Sequence, residues 1–259
     1  MQLEIDTGSS LSRRPRPMLF TALALNAAAL PSAPVMLTHY SDAQCPCSAR
    51  LPHDVAANFL DFDAGYEGLV DFNQFFVGDL KKDVHHCIHG EGECVGQRHF
   101  VCAQNMTSTN FTQLSYQDSK EWFDFQVCSY GSCKDCPAIE GAHCPCYNYT
   151  IFNDFTKNDV MKDCAAQVGL DWGKLNGCGA AASGSGVGGD ALMALSAGRA
   201  NGDGVTYGVD GLAPVFVNGV KVPTKRLIPL DCGPTMQEVK KSVCAALLAK
   251  GHTPAACKK

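Results

Sequence analysis

The stretch Pro34-Val-Met-Leu-Thr-His-Tyr-Ser-Asp-Ala-Gln-Cys-Pro-Cys-Ser48 reads as a strand that hands over to a helix at a cysteine. Pro34 to Tyr40 combines β-branched and aromatic residues and ends at Ser41-Asp42, which predicts a buried strand. From Cys45 to Phe62 the residues Ala49, Leu51, Val55, Ala56, Phe59 and Leu60 recur at helical spacing. Pro46 falls in the first turn of that helix, where a missing amide costs nothing, and Pro52 is expected to kink or interrupt it. Leu69 to Val77 alternates in part and predicts a second strand. Strand, helix, strand is a βαβ opening, for which a right-handed crossover is expected.

At the other end, Leu212-Ala-Pro-Val-Phe-Val217 and Val220-Lys-Val222 flank Asn218-Gly219, the signature of a hairpin closed by a type I′ turn. Thr235 to Lys250 follows as an amphipathic helix with Val239, Val243, Cys244, Leu247 and Leu248 on one side. Between the two ends, residues of about 81–150 are dense in cysteine and polar groups and have few long apolar repeats. This predicts a disulfide-held insertion with some helix around Ser115 to Phe125. Phe155 to Val168 is helical in pattern. Gly177 to Gly189 reads as a flexible loop with no phosphate-cradling motif, and Asp190 to Arg199 as a helix capped by Asp190.

The 259 residues suffice for one sizeable core, and 46% hydrophobic composition is that of a globular domain. A net charge of −5 without a basic run argues against a nucleic-acid partner. The 15 cysteines point to an oxidising compartment, since a reducing cytosol leaves so many thiols idle. Asn105-Met-Thr107, Asn110-Phe-Thr112 and Asn148-Tyr-Thr150 are acceptors for N-glycosylation in a secretory pathway. The cluster at Arg13-Arg-Pro-Arg16, the apolar run Met18 to Ala29 and the small residues Ser32-Ala33 read as a signal peptide within residues 1–33; a disordered tail followed by a buried helix is the alternative. One domain is then expected over residues 34–259. No segment approaches the roughly 20 apolar residues of a membrane span.

The segment Cys87-Ile-His-Gly-Glu-Gly-Glu-Cys94, followed by Cys102, locks three cysteines to a His-Gly pair and an acidic residue. It resembles the hallmark of the gamma-interferon-inducible lysosomal thiol reductase family, Cys-Gln-His-Gly-x-x-Glu-Cys-x-x-Asn-x4-Cys. Cys87, His89, Gly90, Glu93, Cys94 and Cys102 fit it, whereas Ile88 and Gln97 depart from it. Further likeness lies in Gly169 to Cys178, in Val215-Phe-Val-Asn-Gly219 after Pro214, and in the pair Cys244 and Cys257. The resemblance spans about Val35 to Lys258 and is weakest between Thr107 and Tyr149. It implies an α/β, thioredoxin-like fold with a cysteine-rich, partly helical insertion stabilised by disulfides, which agrees with a βαβ opening and a ββα close. The implied activity is reduction of protein disulfides in an acidic lysosomal or extracellular compartment. No cofactor is implied beyond an external thiol such as cysteine or glutathione.

In such folds the reactive thiol sits at the first helix's N-terminus, which favours thiolate over thiol. Here that is Cys45. The likeness to Cys-x-x-Cys fails at Ser48, and the second cysteine comes early, at Cys47. Cys47 resolving the mixed disulfide, Cys45 working alone with an external thiol, and another cysteine swinging in all remain open, with proximity favouring Cys47. An odd cysteine count leaves one thiol unpaired in a monomer. Ser48 is expected to donate a hydrogen bond to the Cys45 thiolate. Ala213-Pro214 resembles the family's cis-proline segment, which implies backbone contact with an extended substrate; a trans proline opening an edge strand is the alternative. His89 reads as a turn residue beside a Cys87 bridge, and His39 as a partly exposed strand residue. Cys128, Cys133, Cys136, Cys144 and Cys146 have spacing that could ligate zinc, but cross-links suit an oxidising lumen better and no metal is expected. The rival to an enzyme is a disulfide-rich secreted binding module on the same fold.

Overall fold

A computed structural model of the chain describes residues 33–61, 64–66, 68–77, 87, 90–131, 155–157, 159–180, 188–205, 213–224 and 233–258, apart from the side chains of Pro46 and Cys47. The chain divides into two units, Met1–Ser32 and Ala33–Lys259, and all described residues belong to the second. The expected signal segment therefore lies outside them.

Strand β1 (Val35–Ser41) is buried along nearly its whole length, as suits a strand with neighbours on both sides. It pairs in parallel with β2 (Val70–Phe76), from Val35 opposite Val70 to Ser41 opposite Phe76. Parallel pairing needs a crossover, and α1 (Pro46–Val55) supplies it. α1 runs through Pro52 to Val55 and then widens into a π turn over Ala56–Leu60, so the helix is not interrupted at the proline itself. Strand β3 (Val215–Val217) runs antiparallel to β1 and carries β4 (Val220–Lys221) on its far side. The sheet order is β2-β1-β3-β4. Asn218 and Gly219, at φ 49° and 78°, close the β3–β4 hairpin in the left-handed conformation that a type I′ turn requires. The last long helix (Met236–Ala249) starts at Thr235, which forms a reciprocal capping box with Glu238. The βαβ opening and ββα close make this a mixed α/β, thioredoxin-like fold.

The insertion is more helical than its sequence suggests. α2 (Glu91–Thr107) begins inside the cysteine hallmark, and α3 is Glu121–Tyr130. Ser115 to Ser119 forms turns, so the helix expected around Ser115 starts later. α2 escapes a periodicity reading because it buries Glu93, Gln97, His99 and Gln104 together with Phe100 and Val101. A helix with polar groups on its inward face shows no clean apolar stripe. α4 (Asp159–Gln167) lies within the helical stretch expected from Phe155. Two further expectations are corrected. Gly177 to Ala180 is not loop but the end of α5 (Trp172–Ala180), and α6 (Gly189–Gly202) is capped by Gly188 rather than Asp190. Asp190 instead lies in the first turn of α6 and faces Arg98 of α2 at 3.7 Å. The closing helix is accordingly α7.

Four disulfides tie the described residues: Cys87–Cys94, Cys102–Cys178, Cys128–Cys164 and Cys244–Cys257. They bind α2 to α5, α3 to α4, and α7 to the C-terminal turn. This is the chemistry of an oxidising compartment. No helix among the described residues is long and apolar enough to cross a membrane.

Among the described residues no fifth strand pairs with the outer edge of β2, and several of its backbone groups are occupied by other partners. Tyr116 N–H donates to Phe72 O at 2.9 Å, Gln117 Nε2 to Val70 O at 2.8 Å, and Gln104 Nε2 to Gln74 O at 3.0 Å. Phe76 N–H donates to Ser196 Oγ at 2.7 Å. Capping of this kind removes a template for intermolecular pairing. Ser196→Ala or Gln104→Met orphans one buried ladder group, so each is expected to cost about 1–3 kcal/mol by urea denaturation with an unchanged slope.

Candidate functional site

The site begins where β1 ends. Ser41, Asp42 and Ala43 are 0%, 1% and 0% exposed, and Cys45 is 2% exposed. Cys45 occupies the N-cap of α1, with an extended backbone (φ −76°, ψ 124°), and its carbonyl accepts the Ala49 N–H at 3.0 Å. Its own amide donates to Asp42 Oδ1 at 2.6 Å. The Asp42 amide in turn donates to Ser48 Oγ at 3.1 Å. This pair of bonds folds the chain back from strand to helix, with an aspartate acting as a turn former in the way its short side chain allows. The Ser48 hydroxyl oxygen is thus an acceptor that anchors the turn, a bond that does not use its proton. The side chain of Cys47 lies outside the described residues.

The hallmark segment packs on this turn. A Cβ added to Gly92 of α2 meets Gln44 Nε2 at 2.5 Å, and one added to Gly96 meets Phe155 at 2.5 Å and the Ala43 Cβ at 3.0 Å. These two glycines, one helical turn apart, let the backbone of α2 approach the residues that precede Cys45. Cys87–Cys94 ties the first turn of α2 to the chain before it, and Gly90 enters the helix at φ 94°. Glu93 and Gln97 are both buried and joined by a bond from Gln97 Nε2 at 3.1 Å. Gln97, one of the two departures from the family pattern, also lies against Cys87 Sγ at 3.7 Å. His89 lies outside the described residues.

Behind the turn runs a chain of buried polar groups. Gln74 Nε2 donates to Ser41 Oγ at 2.6 Å. The Tyr130 hydroxyl, at the end of α3, neighbours the Ser41 side chain and accepts from Gln126 Nε2 at 3.2 Å. Burial pushes the tyrosine well above its ordinary range; Gln126 opposes this, and the charges of Asp42 and Cys45 add to it. Its ring packs against Phe100 at 5.2 Å. His53 of α1 is half-buried beside Gly131, and desolvation lowers its pKa against the pull of Asp54.

His39 corrects an expectation. It is 0% exposed, because β3 covers the strand on the side away from β2 and sets Val215 opposite it. Neither ring nitrogen has a hydrogen-bond partner among the described residues. Burial lowers its pKa from 6.5 to about 3, and nearby Gln74 offsets only part of that. The imidazole is thus neutral throughout the mildly acidic range.

Pro214 comes to the end of β1, where its carbonyl accepts the Tyr40 N–H at 3.1 Å. The Ala213–Pro214 peptide is trans, unlike the family segment it resembles, and β3 is an interior strand and not an edge. Both residues are buried, and a Cβ on Gly233 would lie 2.4 Å from the Ala213 carbonyl oxygen. Asn105 is exposed in the last turns of α2, and Asn110 is exposed with its Oδ1 accepting from Thr112 Oγ1 at 2.8 Å. Asn148 lies outside the described residues. Cys128 is bridged to Cys164, while Cys133, Cys136, Cys144 and Cys146 lie outside them. Among the described residues no cluster of three His, Cys, Asp or Glu side chains could hold a metal ion.

Sequence reasoning quoted Asp42 and Gln44 without giving them a role, and it missed Tyr130 and the two α2 glycines. An aspartate three residues before a helix-initiating cysteine was the available signal for the first. Tyr130 had none, since its approach is purely tertiary.

No protein-family model matches the chain, and no curated protein matches it. Among solved structures it is similar to the thiol-disulfide exchange protein alpha-DsbA2 from Wolbachia pipientis, at 11% identity and a TM-score of 0.44 over 84% of each chain.

The His39 geometry yields a pH dependence. The folded state holds the imidazole neutral and the unfolded chain does not, so stability is present above about pH 6.5 and declines as pH falls toward 3. His39→Leu abolishes that decline: thermal melts at pH 7 and 5 are expected to differ less than in the wild type, at little cost at pH 7, where two unpaired nitrogens are replaced by methyl groups.

Proposed function

We propose that this chain is a thiol-disulfide oxidoreductase centred on Cys45, and more narrowly a reductase of protein disulfides resembling the gamma-interferon-inducible lysosomal thiol reductases. The observation that carries this reading is the position of Cys45 at the N-cap of α1, directly after β1, in a turn fixed by Asp42 and Ser48. There the α1 dipole favours a negative sulfur. The thiolate attacks one sulfur of a substrate disulfide; the S–S bond breaks, and the departing sulfur leaves as a thiolate that takes a proton from water. Cys47 then attacks the Cys45 sulfur of the mixed disulfide, releases the second substrate thiol and leaves a Cys45–Cys47 bridge, which two external thiols reduce; where Cys45 acts alone, one free cysteine or glutathione attacks its sulfur to release the substrate and a second removes the first as a disulfide. Ala213 and Pro214, at the end of β1, are the segment against which an extended substrate is held. The compartment is secretory, lysosomal or extracellular, with glycans at Asn105, Asn110 and Asn148.

Asp42 bears on the ionisation of the sulfur. A carboxylate against the Cys45 amide opposes a second negative charge on that residue. Asp42→Asn keeps the acceptor and removes the charge, so insulin-disulfide reduction, read at pH 7 and 4.5, is expected to rise several-fold at pH 7. The same assay tests the site. Equal loss in Cys45→Ser and Cys47→Ser identifies a resolving pair, and loss only in Cys45→Ser a one-thiol mechanism. Wild-type protein that reduces nothing at either pH leaves the disulfide-rich binding module as the reading.

A further inference from the structure

The turn that fixes Cys45 also fixes the residue one helical turn beyond it. Helix α1 has Cys45 as its N-cap, Pro46 and Cys47 as its first two positions and Ser48 as its third. Side chains at the N-cap and the third position meet across the first turn of a helix, whereas positions two apart do not face each other. α7 shows that pairing within this chain: Thr235 Oγ1 at its N-cap lies 3.1 Å from Glu238 Oε2 at its third position. In α1 the corresponding residues are Cys45 and Ser48. Asp42 ties the two together, its carboxylate taking the Cys45 amide at 2.6 Å and its own amide donating to Ser48 Oγ at 3.1 Å. Ser48 is 0% exposed, so its hydroxyl is enclosed by the turn.

We infer that Ser48 stands in the place of a resolving thiol, so that the mixed disulfide on Cys45 persists until a low-molecular-weight thiol from outside the chain attacks it. This rests on the reading of Cys45 as the reactive thiol, and it decides between the two routes open to that reaction. The third position is the one from which a second sulfur reaches the first without unwinding the helix. A serine hydroxyl there forms no bridge with sulfur, and its oxygen is engaged by the Asp42 amide. The external thiolate therefore attacks Cys45 Sγ, the bond from Cys45 to the substrate breaks, and the substrate sulfur leaves as a thiolate that takes a proton from water. A second external thiol then attacks the first, which leaves as the external disulfide and returns Cys45 as a thiolate. The bound substrate still covers a sulfur that the fold leaves 2% exposed, which favours a small thiol over a second protein.

The test is a single turnover without added thiol. Full-length protein is mildly reduced, desalted, mixed at pH 7 with two peptides joined by one disulfide, quenched with acid and mapped by mass spectrometry. The wild type is expected to release about one equivalent of peptide per Cys45 and to keep the other peptide on that residue. Ser48→Cys is expected to release about two, a twofold gain, and to carry a bridge between residues 45 and 48. Glutathione and free cysteine, added to the wild-type complex in separate arms, are each expected to free the second peptide. Wild-type protein that releases both peptides unaided, with a bridge at Cys45, overturns the inference and leaves the proposed function standing. So does a complex that neither small thiol opens, or a folded Ser48→Cys protein that retains the peptide as the wild type does. Should that variant fail to fold, release by the wild type decides alone. A Cys45 that takes up no peptide overturns both readings.

Discussion

The hydrogen bond from the Cys45 amide to the buried Asp42 carboxylate sets the geometry on which the other features of the site depend. It terminates β1 after Ser41, starts α1 at Pro46, and turns Ala43 and Gln44 outward against α2. Only glycine at positions 92 and 96 lets α2 come close enough to receive them. The register of α2 is thereby tied to the turn, and Cys87–Cys94 and Cys102–Cys178 hold that helix at its first turn and its middle. The hallmark segment is then the wall of the Cys45 turn rather than a separate ornament on the insertion. A carboxylate used in this way also puts a charge beside the sulfur on which the proposed reaction depends, so structural and proposed chemical demands meet on one side chain.

The parts of the fold legible in the sequence were those set by local chemistry. β1 and β2 showed as compact runs of β-branched and aromatic residues, the hairpin as Asn218-Gly219, and α7 as an apolar stripe behind Thr235. Each rests on contacts within a few residues or on a period that burial imposes. α2 was hidden because its inward face carries Glu93, Gln97, His99 and Gln104, whose partners are supplied by distant segments. The same holds for His39, which a sequence reading leaves half-exposed and the register with Gln74 and Val215 buries completely. Gly177 to Ala180 looked like a linker because small residues lower helix propensity. Packing against α2 overrides that: the Gly179 position touches His99, and Arg98 Nε donates to the Gly179 carbonyl at 3.0 Å. Of the candidate site, the place of Cys45 at a strand-to-helix junction was readable, and the groups that surround it were not.

A core that buries so many polar side chains forgoes stability that apolar packing would supply. In the series Gln126, Tyr130, Ser41, Gln74 and His39 the bonds run from Gln126 to Tyr130 and from Gln74 to Ser41, while Gln126 Oε1, Gln74 Oε1 and the imidazole are unmet among the described residues. Partial satisfaction of a buried network is costly, and replacing its members by apolar groups of the same shape is often neutral or better. Cross-links offset such a deficit by restricting the unfolded chain, and the Cys102–Cys178 bridge closes a span of 76 residues, long enough to matter on that account. The disulfides and the polar interior are therefore two sides of one arrangement: oxidising conditions stabilise a fold whose centre buries polar groups.

The cover over that sulfur sharpens the electrostatics. At 2% exposure Cys45 is screened little by water, so the α1 amides that favour a thiolate and the Asp42 carboxylate that opposes it both act at greater strength than they would on a surface. A small change in either then produces a large change in ionised fraction. The insertion reaches this turn through α2, where a Cβ at Gly92 or Gly96 would meet Gln44 or Ala43, so it forms part of the cover over the thiol.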